Sequence, residues 1–150
     1  MRGCRRAYRP DVQARPVLCP VDSQSLPNWF GDPDAIDNYE HDAVSDAFQS
    51  LLAVDSEKTV GVALVRRHFP EAAELHLIAV APDVRGRGVG RALVERIALD
   101  LTDDECRLLS VHTVGPSFDS EPYAETRKFY KGTGFCPLKS TTALTGPALL

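Results

Sequence analysis

Arg85, Gly86, Arg87, Gly88 and Gly90 stand close together inside the stretch LHLIAVAPDVRGRGVGRALVERIA, Leu75 to Ala98, directly ahead of a helical pattern. Glycine has no Cβ and lets the backbone bend around a ligand, and the first turn of a helix leaves amides that no intrahelical carbonyl satisfies. Together with two arginines, these amides make a cradle for an anion, most simply a pyrophosphate, from Arg85, Gly86, Arg87, Gly88, Val89 and Gly90. A P-loop requires Lys and then Ser or Thr after its last glycine, whereas Arg91-Ala92 follows Gly90. The dinucleotide fingerprint G-x-G-x-x-G is not met by Gly86-x-Gly88-x-Gly90, and no acidic ribose partner is evident on a second strand. A plain strand-to-helix connector is the other alternative, but it has no use for two arginines that concentrate positive charge.

The elements that must position this loop follow from periodicity. Leu75, Leu77 and Ala79 alternate with His76, Ile78 and Val80, apolar enough for a strand covered on both faces. Pro82 forbids ladder pairing at its own nitrogen. Val89, Leu93, Ile97 and Leu101 then repeat at helical spacing, with Arg91, Glu95, Arg96 and Asp100 on other faces. Upstream, Asp32 as N-cap and Pro33 at the first helical position open a short helix carrying Ala35, Ile36 and Tyr39 inward. Leu51 to Val54 forms a strand, Asp55-Ser56-Glu57-Lys58 a turn and Val60 to Val65 the returning strand, with His68-Phe69-Pro70 as the next connection. Leu108 to Val114 is a further strand. At the amino end Pro16-Val17-Leu18-Cys19 is the only strand candidate, and Cys136 to Leu150 leaves room for one strand and the beginning of another. The sheet edges are therefore reduced, or the domain is cut short at its C-terminal strand.

Two segments carry a family resemblance. Arg85-x-x-Gly88-x-Gly90, after a strand ending in Val80-Ala81-Pro82, resembles the (Q/R)-x-x-G-x-(G/A) coenzyme A motif of the GNAT superfamily of acyl-CoA-dependent N-acyltransferases. Arg127-Lys128-Phe129-Tyr130-Lys131-Gly132-Thr133-Gly134-Phe135 resembles that family's later segment, an aromatic-Tyr pair closing a helix before a Gly-Phe turn. The segments occur in the family's order, and the resemblance spans about Phe48 to Pro137. It implies an α/β (α+β) fold with a GNAT-like mixed, mostly antiparallel central sheet flanked by helices on both faces. It also implies acetyl-CoA as cosubstrate and N-acetyl transfer by direct attack on the thioester. Ile78, Ala79 and Val80 match the segment whose backbone pairs with pantetheine like an added strand. Tyr130 matches the family's Tyr, implying a proton for the leaving thiolate; a phenol capping the helix against the sheet is the alternative. Tyr123 stands where many relatives carry a pantetheine-binding Asn, so contacts from that side are not carried over.

An alkylamine with a pKa near 10.4 is neutral only about once in 2,500 molecules at pH 7, a gap of roughly 4 to 5 kcal/mol, so a base must assist. Glu74 and His76 share a face of the strand leading to the loop and could accept the proton by geometry. An exposed strand entry for Glu74 and a hydrogen-bonded core histidine for His76 are the alternatives. His112 is a third candidate. A backbone amide near Val80, where the ladder splays before Pro82, is the candidate oxyanion donor.

With 150 residues, 43% of them hydrophobic, the chain can bury one core without staples. We expect a poorly ordered segment over residues 1–25, punctuated by Pro10, Pro16 and Pro20, and an acetyltransferase domain over 26–150. Cys4, Cys19, Cys106 and Cys136 form no C-x-x-C pair, which leaves disulfides and metal unsupported and makes Cys106 and Cys136 buried small hydrophobes. No apolar run is long enough to cross a bilayer and the Arg-rich start has no apolar signal core, so we expect a cytoplasmic protein without a membrane partner. A net charge of -4 argues against nucleic acid as partner. Asp32, Asp34, Asp37, Glu40, Asp42 and Asp46 accompany Trp29, Phe30 and Tyr39. That stretch is either a solvated helix face or the border of a pocket for a cationic amine, on a small molecule or a peptide. A homodimer stays open, as does a noncatalytic acyl-CoA-binding or interaction module.

Overall fold

Six consecutive buried residues, Val60 to Val65, mark the centre of the sheet, since only a strand covered on both faces buries neighbours that point in opposite directions. The computed structural model describes residues 11–14, 47–117 and 119–140. The helix at Asp32-Pro33, the strand candidate Pro16–Cys19 and the acidic stretch Trp29–Asp46 lie outside them, as do Cys4 and Cys19. Two compact units are formed, Met1–Val111 and His112–Leu150.

The first unit holds β1 (Asp11–Ala14), β2 (Phe48–Asp55), β3 (Lys58–Phe69), β4 (Ala72–Val80), α1 (Val89–Asp103) and β5 (Leu108–Val111). The five strands lie side by side in chain order, and β1 to β4 pair antiparallel while β5 joins β4 parallel. The predicted mixed, mostly antiparallel sheet is thus present. Ser56 and Glu57 both have positive φ, 49° and 70°, the backbone of a tight turn whose twist suits the β2–β3 hairpin. The parallel β4–β5 pair needs a crossover, which α1 supplies.

α1 lays Val89, Leu93, Ile97 and Leu101, all nearly inaccessible, along its buried stripe. Full burial of each such side chain contributes roughly 1.5 to 3 kcal/mol. Gly61 permits this packing, because a Cβ there would lie 3.0 Å from Val89 Cγ1 and 3.1 Å from Leu93 Cδ1. Arg67 ties the β3–β4 hairpin to the end of α1, donating from Nη2 to the carbonyls of Asp104 at 2.9 Å and Pro70 at 2.5 Å.

Several boundaries differ from the sequence reading. The amino-terminal edge strand is Asp11–Ala14, upstream of Pro16 and inside the stretch expected to hold little regular structure. β3 runs through His68 and Phe69, which periodicity placed in a connection. β5 ends at Val111 rather than Val114. No strand follows Phe135 among the described residues, which extend to Ser140. Cys136 is exposed and Cys106 only half-buried, so neither is the buried hydrophobe expected.

The second unit contains α2 (Glu121–Gly132), opened by Pro122 in its first turn and Ser120 at the N-cap. Arg127 Nη1 donates to the carbonyls of Val114 at 3.0 Å and Gly115 at 3.3 Å, pinning the preceding loop to the helix. Gly134, with φ of 102°, turns the chain out so that the Phe135 amide reaches the Tyr130 carbonyl at 3.0 Å.

Candidate active site

β4 delivers the chain to the glycine loop in a defined sequence of hydrogen bonds. The Ala81 amide makes the last ladder bond, to Val60 O at 2.9 Å. A 3-10 turn over Pro82–Val84 follows, with the Arg85 amide on Pro82 O and the Arg87 amide on Val84 O at 3.3 Å. Gly86 and Gly88 take φ of 75° and 92°, where a side chain is strained, and no atom lies within 4 Å of where their Cβ atoms would stand. Gly88 is the N-cap of α1, and the first helical bond runs from the Ala92 amide to Gly88 O. The amides of Val89 and Gly90 therefore belong to the first turn, beyond reach of intrahelical carbonyls, and no acidic side chain stands there to compete for them. Arg85, Arg87 and Arg91 are exposed around them. Arg85 also donates from Nε to Val80 O at 3.2 Å.

The outer edge of β4 is the second component. β5 pairs with β4 only from Ala72 to Leu75, and among the described residues no strand continues along that edge. The ladder therefore splays at His76, earlier than the sequence predicted. Since successive amides in a strand point to opposite edges and Ala81 points at β3, the amides of Val80 and Ile78 point outward. Ile78, Ala79 and Val80 are half-buried, and their edge runs directly into the glycine loop.

The candidate bases sit where β4 is irregular. Leu64 pairs with Leu77 and Val65 with Leu75, which leaves His76 as the extra residue of a bulge. Phe48, Arg66, Glu74 and Ser110 form one cross-strand row over β2, β3, β4 and β5. Cross-strand partners share a face, and Arg66 lies an odd number of positions along β3 from Gly61, so this row lies on the face away from α1. His76, exposed, is on that face too, its ring 5.0 Å from Phe48. Glu74 is paired with His68, Oε2 to Nε2 at 2.7 Å, and its side chain is 19% exposed. His68 was not singled out from sequence; only a correct hairpin boundary could have brought it to notice.

Tyr130 and His112 belong to the second unit. Tyr130 is half-buried between Phe129 and Phe135, with ring centroids at 5.4 and 5.5 Å, and burial raises its phenol above the ordinary value. His112 is exposed just past β5, and Tyr123 is exposed on α2.

Residues 46–137 match the family model of the acetyltransferase (GNAT) domain. The chain belongs to the GNAT family. Solved structures share the GNAT fold found here. A GNAT-family acetyltransferase candidate from Desulfovibrio desulfuricans has a TM-score of 0.73 at 24% identity, covering 86% of this chain and 87% of its own. Ribosomal-protein-alanine N-acetyltransferase from Brucella melitensis biovar Abortus gives 0.67 at 20% identity, covering 91% and 98%. Aminoglycoside N-acetyltransferase AAC(6')-Iy in complex with CoA gives 0.64 at 20% identity, covering 92% and 100%. No curated protein sequence matches this GNAT chain. Among the described residues no cluster of His, Cys, Asp or Glu could hold a metal ion, and no helix is long and apolar enough to cross a membrane.

Proposed function

We propose that this protein moves an acetyl group from acetyl-CoA to a primary amine by direct attack on the thioester. The observation that carries the reading is the continuity of the β4 edge, which among the described residues no strand pairs beyond Leu75, with the amides and arginines at the start of α1. Coenzyme A offers groups for both: amides in pantetheine that can pair with Ile78, Ala79 and Val80 as an added strand, and a pyrophosphate for Arg85, Gly86, Arg87, Gly88, Val89 and Gly90. The similarity to a structure solved in complex with CoA supports the same ligand.

Acetyl transfer requires removal of a proton from the acceptor ammonium, formation of C–N, breaking of C–S and protonation of the thiolate. Glu74 is assigned the first proton, with His76 as the alternative on the same sheet face. An outward amide of β4 is assigned the oxyanion. Tyr130 is assigned the thiolate, on its match to the family's Tyr and on the burial that keeps its phenol protonated. The similar structures named for aminoglycoside and ribosomal-protein-alanine acetylation support an amine acceptor as a class.

Incubation with acetyl-CoA and a panel of amines, read as free thiol, tests the reading. Thiol release dependent on one amine is the expected result. Coenzyme A binding without thiol release for any amine makes the protein a noncatalytic acyl-CoA-binding module instead.

A further inference from the structure

The register of the β3–β4 ladder steps past two residues, and both are histidines close to Glu74. Leu64 pairs with Leu77 and Val65 with Leu75, passing over His76; Arg67 pairs with Ala73 and Phe69 with Ala72, passing over His68. A bulge re-aims the side chain of its extra residue. His76 turns to Phe48, whereas His68 turns to Glu74 and meets Oε2 through Nε2 at 2.7 Å. Glu74 is the more enclosed partner, 19% exposed against 39% for His68.

We propose that His68 is a positioning residue for the acceptor chemistry: its Nε2–H fixes the Glu74 carboxylate in the orientation that takes the acceptor's proton. The proposal deepens the acetyl-transfer reading and rests on it. A flexible glutamate loses rotamer freedom each time it must face the acceptor, and a hydrogen bond already made to one oxygen removes that cost. The groups that face Glu74 are His68 and Arg66 from β3, His76 from β4 and Ser110 from β5. Of these, Arg66 sits 5.6 Å over the Phe48 ring and Ser110 Oγ donates to Ala73 O at 3.3 Å. His68 meets the carboxylate directly, through Nε2 at 2.7 Å from Oε2. In the transfer step the ammonium gives one proton to Glu74, the neutral nitrogen forms the C–N bond, C–S breaks as Tyr130 protonates the departing thiolate, and the second nitrogen proton replaces the one Tyr130 has given. His68 supplies no atom to the product.

A double-mutant cycle on the full chain tests this. With acetyl-CoA and the responsive amine, His68→Ala should lower kcat about ten-fold. His68→Gln, which keeps a donor at similar reach, should stay within about three-fold of wild type. In a Glu74→Gln background, itself lowered on the order of a hundred-fold by loss of the base, His68→Ala should change kcat less than about two-fold. Coenzyme A affinity, measured by calorimetry, should be equal in all variants. Ring nitrogen NMR of His68 reads the pairing without turnover, with the Nε2–H tautomer dominant in wild type and not in Glu74→Leu. Equal losses from His68→Ala in both backgrounds, or an unpaired His68 ring in wild type, would overturn the proposal while leaving acetyl transfer standing. A wild-type protein that binds coenzyme A but releases thiol with no amine overturns the acetyl-transfer reading, and this proposal with it.

Discussion

Arg85 Nε donates to the carbonyl oxygen of Val80 at 3.2 Å, so the arginine that opens the glycine loop is fastened to the last residue of the strand before it. The end of β4 and the glycine loop are thereby held together. Arg85→Ala should weaken coenzyme A binding about ten-fold, the size of one charge-assisted contact of roughly 1.5 kcal/mol, with a smaller deficit at high salt. Calorimetry at two ionic strengths checks it, and unchanged affinity at both would remove Arg85 from the site.

Gly88 and Gly61 should both resist alanine, for different reasons. At Gly88 space is open but φ is 92°, so the substitution strains the backbone by roughly 1 to 2 kcal/mol and also disturbs the cradle. At Gly61 the new methyl would press on Val89 and Leu93, costing roughly 1 to 3 kcal/mol with no direct contact to ligand. Urea unfolding and coenzyme A binding separate them: Gly88→Ala loses both, Gly61→Ala chiefly stability.

Tyr130→Phe should lower turnover while leaving acetyl-CoA affinity nearly intact, because the ring packing on Phe129 and Phe135 is kept and only the hydroxyl is lost. Steady-state thiol release beside a binding isotherm measures this. Wild-type turnover in the variant would take Tyr130 out of the chemistry.

Burial raises the Tyr130 phenol, and the sign of the resulting pH dependence is fixed. The folded state holds the proton more tightly than the unfolded one, so this contribution to stability is whole below the ordinary phenol value near 10 and is lost as pH rises through the raised value. Thermal unfolding from pH 8 to 11 should show a steeper alkaline decline in wild type than in Tyr130→Phe.

Much of the fold was legible because its signals are local. The Val60–Val65 run, the Val89–Leu101 stripe and the Asp55–Lys58 turn each declare themselves within a few residues. The glycine loop and the helix start it leads into were legible for the same reason, since they are neighbours in the chain. His68 was not, because its role depends on a bulge, and a bulge arises from how two strands settle against each other rather than from either alone. The strand Asp11–Ala14 escaped likewise: its four residues carry little apolar alternation, and the pairing with Leu51–Val54 is what makes them a strand.

The chain-order arrangement of the sheet also bears on how the molecule comes together. β2, β3 and β4 are joined by two tight hairpins, so their contacts form at small loop-closure cost, whereas β5 can add to β4 only after the whole of α1 has been laid down. The three-strand meander should therefore be the folding nucleus and the parallel crossover a late event. Leu64→Ala should slow refolding, while Val111→Ala should mainly speed unfolding in stopped-flow measurements. The half of the sheet that ends in the glycine loop is then assembled before β5 takes its place beside β4.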